Sequence, residues 1–153
     1  MSPGGKVTPV MDKTGIYGAP RFSPDSKKLA FIASGGKGFH VWAVDLDKRT
    51  PVQPTCQGMQ DRELAWARDS KHLVYGDGTA LWWIRDGSGQ PQRLADKLQD
   101  PRPGSMAPDG RLAFAPPSNG LPDVWTMPID ISEPEHPKPG APEPSSMTRQ
   151  LSK

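Results

Sequence analysis

Residues 20–31 read PRFSPDSKKLAF and are followed at 41–47 by VWAVDLD. The phrase returns as LAWARDSKHLVY at 64–75 with LWWIRDG at 81–87, and again as SMAPDGRLAF at 105–114 with VWTMPID at 124–130. Superposing the copies puts Phe22, Trp66 and Met106 at one position, 44 and then 40 residues apart. It puts Trp42, Trp82 and Trp125 at another, 40 and then 43 apart. A period of about 40–45 residues made of short apolar runs and tight turns predicts propeller blades. Rings of this kind use about 4–8 blades. The expected fold class is therefore all-β, a partial β-propeller of about three four-stranded antiparallel blades, not closed by itself.

Within each copy the local chemistry sets the strands. SPDS at 23–26, ARDS at 67–70 and APDG at 107–110 carry turn residues: Pro pre-sets φ, Ser and Asp bond their own backbone, and Gly accepts positive φ. Arg68 replaces the proline in the second copy, which leaves that turn less pre-organised. The strands that follow, at 28–33, 72–75 and 111–115, place Leu29/Phe31, Leu73/Tyr75 and Leu112/Phe114 two residues apart and so on one face. The aligned tryptophans of the third strands are expected to fill the wedge between blades. Fourth strands are expected at 50–55, 91–95 and 147–152, short, charged and proline-bearing as outer edges should be. The divisions are residues 1–16 as the N-terminal edge strand of a blade, either completing the third copy by closure or belonging to a neighbouring blade, plus a link, then 17–56 as blade 1, 57–97 as blade 2, and 98–153 as blade 3.

Composition sharpens this map. Nineteen prolines and sixteen glycines in 153 residues mostly punctuate strands, but 133–146, EPEHPKPGAPEPSS, holds five prolines and no large apolar residue. It reads as a solvated, polyproline-like linker ahead of the last strand. Nineteen basic and seventeen acidic side chains are dispersed, for a net charge of +2, so nothing suggests nucleic acid as a partner. No segment reaches the roughly 20 apolar residues of a membrane span. The N-terminus lacks the apolar core of a secretory signal, and the single Cys56 makes no internal disulfide. The compartment stays open.

The phrase PRFSPDSKKLAF with VWAVDLD resembles the TolB-like or PD40 repeat, a WD40-like β-propeller motif of the form P-x-F-S-P-D-G-x-x-L-A-F with a later apolar-Trp-x-x-Asp strand. The likeness covers about residues 17–130. Departures are Arg68 at the turn proline, Ser26 and Ser70 at the turn glycine, and Met106 at the strand aromatic. The resemblance implies a ring of six to eight blades, often periplasmic or extracytoplasmic, used for protein binding or scaffolding. It also leaves other settings open: a piece of the propeller domain of a prolyl-oligopeptidase-like or tricorn-type serine peptidase, or of a kinase-linked sensor.

Catalytic and cofactor constellations are not expected. His40, His72 and His136 have no partner at metal-ligand spacing, and no G-x-S-x-G elbow occurs. Asp45, Asp47 and Asp86 lack the loop that gathers calcium ligands. Asp25, Asp69 and Asp109 recur because the turn needs them. The expectation is a non-catalytic module with a protein or peptide partner, standing as a homo-oligomer or as part of a larger propeller. Candidate binding residues are Arg21, Asp61, Arg62, Glu63 and Arg102, where first strands begin near the expected channel and arginine suits a carboxylate. Trp83 is added because it neighbours Trp82 on a strand and points the opposite way, either out as a contact anchor or into the next blade.

Overall fold

The computed structural model describes residues 4–35, 38–55, 63–87, 90–115 and 124–145. They form three antiparallel sheets with no helix. Blade 1 contains β1 (Tyr17–Phe22), β2 (Lys28–Ser34), β3 (Phe39–Asp45) and β4 (Pro51–Val52), ordered as in the chain. Blade 2 repeats this with β5 (Leu64–Trp66), β6 (His72–Gly76), β7 (Leu81–Arg85) and β8 (Gln92–Ala95). Blade 3 runs through β9 (Arg102–Met106), β10 (Arg111–Ala115) and β11 (Trp125–Asp130), with β12 (Lys138–Pro139) and β13 (Glu143–Pro144) both on the outer side of β11.

Each β1–β2-type hairpin closes as the sequence dictates. The N–H groups of Ser26, Ser70 and Gly110 donate to the carbonyls of Ser23, Ala67 and Ala107 at 2.8, 3.1 and 2.9 Å. In every copy the turn aspartate accepts a backbone N–H two residues on: Lys27 to Asp25, Lys71 to Asp69, Arg111 to Asp109. Ser26 and Ser70 take φ of 61° and 57°, the left-handed conformation that Gly110 reaches at 92°. The turn is thus kept in all three copies, with strain added where serine replaces glycine.

Alternation along the strands builds two cores, one in each gap between neighbouring sheets. Between blades 1 and 2 lie Ala30, Ile32, Val41 and Ala43, facing Leu64, Trp66, Leu73, Tyr75 and Ile84. Between blades 2 and 3 lie Ala65, Val74, Leu81 and Trp83, facing Leu112, Phe114, Met127 and Ile129. In both gaps the face carrying the repeat's aromatic and leucine positions turns toward the preceding blade and meets that blade's other face, small in blade 1 and holding Trp83 in blade 2. Trp82 and Trp125 pack in these gaps as the wedge reading expects. Trp42 does not; it lies with Phe31 and Val44 on the other face of blade 1, beside Met11.

Two other expectations change. Residues 5–11 form no strand, and Met11 packs instead against Phe31 and Val44 of blade 1. The proline-rich 133–146 is not a free linker. Its residues pair in β12 with Ile129 and Asp130, and in β13 with Trp125 and Thr126, occupying the outer-edge place expected of 147–152. Prolines are tolerated there because only one side of an edge strand must donate to the sheet. Residues 147–152, like Cys56, lie outside the described residues.

Candidate functional site

The inner strands β1, β5 and β9 adjoin one another along the inner side of the sheets. The indole Nε1–H of Trp66 donates to the Arg21 carbonyl at 2.8 Å, pinning the Arg21 backbone to blade 2. The Arg21 guanidinium then sits 3.5 Å from the Glu63 carboxylate, both side chains about two-fifths exposed. At that exposure an ion pair contributes only about 0–1 kcal/mol to stability. Its two members are therefore free to exchange partners at little energetic cost, while the Arg21 backbone stays held by Trp66.

Arg102, at the start of β9, donates from Nε and Nη2 to one carboxylate oxygen of Asp100, Oδ2, at 3.2 and 2.7 Å. Of the sequence candidates, the structure joins Arg21 to Glu63 and gives Arg102 a local carboxylate; Asp61 and Arg62 lie outside the described residues. Trp83 is corrected as a contact anchor. Only 1% of it is exposed, its ring stacks on His72 at 4.9 Å between centroids, and its Nε1–H donates to the Pro134 carbonyl at 3.0 Å. It is the wedge into blade 3, and the strap from 133–146 closes over it.

That strap builds an ionic cluster that the sequence did not announce. His72 is buried with Nδ1 2.7 Å from Asp69 and Nε2 3.6 Å from Glu135, while Glu135 also pairs with Arg85 and its carbonyl accepts Gln92. Burial pushes the Asp69 carboxyl up, but hydrogen bonds from the His72 ring and from the Lys71 and His72 backbones outweigh it and hold the group below its ordinary value. Asp77 behaves likewise: burial opposes ionisation, and donors from Thr79, Ala80 and the Trp82 indole prevail. Tyr75 is pushed up to about 12, by burial and by the Asp77 charge.

Ties between blades also run through the turns. The Ser70 hydroxyl accepts the Asp25 N–H at 3.0 Å, and its carbonyl accepts the Lys28 ammonium, which also meets Asp86. Arg68, the odd residue at the turn proline, donates to the Pro108 carbonyl at 3.0 Å. A cation in a proline's place was the available signal for this tie. Among the described residues no group of three or more His, Cys, Asp or Glu is arranged to hold a metal ion, and no helix is long and apolar enough to cross a membrane.

The blade geometry matches solved propellers. TolB from Acinetobacter baumannii superposes with a TM-score of 0.66 at 18% identity, covering 88% of this chain and 33% of that one. The fold is that of a TolB-like β-propeller. A TolB-type structure from Agrobacterium tumefaciens agrees, with a TM-score of 0.66 at 14% identity, covering 88% of this chain and 50% of that one. The TolB-like chain thus spans a third to a half of these solved structures. No sequence family and no curated relative matches it.

Proposed function

We propose that the chain is a non-catalytic protein-interaction module whose TolB-like blades present Arg21 to a carboxylate of a peptide or protein loop. The observation that carries this reading is the half-exposed Arg21–Glu63 pair set across two adjoining inner strands. Arginine's planar fork binds a carboxylate bidentately, and a marginal exposed pair yields readily to a better-desolvated partner. The Trp66 bond to the Arg21 carbonyl removes backbone freedom beforehand, so less entropy is lost on capture.

The test uses a fluorescein-labelled random decapeptide pool in two forms, with a free C-terminal carboxylate and with that end amidated, and reads anisotropy. The free-acid pool is expected to bind more tightly, and Arg21→Ala to lower its affinity several-fold while leaving the amidated pool unchanged. Equal binding of the two pools, or no response to Arg21→Ala, would sink the assignment.

A further inference from the structure

The inner strands carry two arginine–carboxylate pairs, one tight and one loose. Arg102 and Asp100, two residues apart on blade 3, meet at 2.7 Å. Arg21 and Glu63 come from different blades and stop at 3.5 Å, beyond the roughly 2.7–2.9 Å of a full charge-assisted bond. Arg21 also donates from Nη1 to the carbonyl of its neighbour Pro20 at 3.1 Å. Among the described residues Arg21 Nε and Glu63 Oε1 make no hydrogen bond. Each member of the loose pair therefore keeps unused bonding capacity.

The two charges are set side by side from anchored positions. Glu63 immediately precedes Leu64, which is buried and stands opposite Tyr75 in the sheet, and the Arg21 carbonyl is tied to the Trp66 indole. Together they are neutral. A lone carboxylate captured by Arg21 brings a second anion beside Glu63, and like charges at that range repel. A ligand that carries a cation close to its carboxylate avoids this imbalance: its anion takes the guanidinium, and its cation takes the Glu63 oxygen that Arg21 leaves unused.

We infer that Glu63 is a specificity-determining residue, an inference that rests on the assignment of Arg21 to carboxylate capture. It selects peptide C-termini with lysine or arginine among the last two residues and disfavours those ending in acidic ones. The restriction to the last two follows from the closeness of Arg21 and Glu63: a basic residue further back, at roughly 3.3 Å per residue of extended chain, is carried away from the pair. The discrimination is modest, because both side chains are about two-fifths exposed and water screens them. It requires Glu63 as a charge facing the ligand, not as a brace for Arg21, and those two roles give different affinities.

The test reads anisotropy at low salt on three fluorescein-labelled free-acid decapeptide pools, random except for Lys-Lys, Gln-Gln or Glu-Glu as the final two residues. The parent chain is expected to bind them in that order, Lys-Lys roughly two- to five-fold more tightly than Glu-Glu, the scale of an exposed ion pair. Glu63→Gln should level the three pools while the Gln-Gln pool still responds to Arg21→Ala, and Glu63→Lys should reverse the order. If Glu63→Gln alters the far-UV spectrum, Glu63→Lys decides, and an order left unreversed overturns the inference. A preference that survives Glu63→Gln, including an equal loss across all three pools, overturns it too and leaves carboxylate capture standing, with Glu63 at most a brace. Pools that are all indifferent to Arg21→Ala overturn the capture reading and this inference with it.

Discussion

Gly110 shows how one residue can be required twice. Its φ of 92° is open to glycine and strained for others, and a Cβ placed there would lie 3.0 Å from the Ile129 carbonyl oxygen. Ser26 and Ser70 hold comparable φ at the equivalent position, so the backbone itself tolerates a side chain; the closeness of Ile129 is what singles out the third copy. Gly110→Ala is expected to cost about 1–3 kcal/mol. Gly104→Ala, at an exposed site where the nearest atom is 3.6 Å away, should stay within about 0.5 kcal/mol. Thermal melts of the pair decide it, and equal losses would show that the Ile129 contact is relieved by a small shift. The turn motif made the special conformation legible; the carbonyl of a strand nineteen residues away was not.

Among the elements, the proline-rich segment departs furthest from its sequence. Composition describes what 133–146 lacks, namely apolar bulk, and so suggests a solvated linker. It does not describe what its backbone can accept. The Pro134 and Glu135 carbonyls take the indole of Trp83 and the amide of Gln92, and β12 and β13 need only a few N–H groups. Replacing Trp83 by Phe keeps most of the wedge but removes one hydrogen bond, with an expected loss of about 1 kcal/mol. A chain ending at residue 132 loses the strap and both edge pairings, and should melt well below the Trp83→Phe variant. If that shorter chain melts with the full one, the segment contributes nothing and the strap reading fails.

On the scale of the whole molecule, acid should loosen all three blades together. The turn and strand-end carboxyls of Asp25, Asp45, Asp69, Asp77, Asp109 and Asp130 all lie below the ordinary 3.8. Burial resists ionisation most at Asp69 and Asp77; at the other four the leading cause is hydrogen bonding to the charged form. A folded-state pKa below the unfolded one gives stability that is fully present above 3.8 and lost as pH falls through the lower folded values. Melting temperature is therefore expected to be flat from neutral pH to about 5 and to fall below about 4. A fall already under way at pH 6 would sink the assignment of the acid response to these six carboxyls.

The repeat determined, by itself, the number of blades, their hairpin turns, and which residues share a face, because period-two alternation and turn chemistry are local and survive in any copy. Tertiary structure alone decided which face meets which blade, and with that the fates of particular residues. Trp83 is enclosed and Phe22 left in water, though both are large aromatics on strands. Arg21 finds Glu63, forty-two positions on, only because inner strands of successive blades converge. Burial and pairing across sheets depend on what stands next to a sheet in space, and a sequence records only what stands next to a residue along the chain.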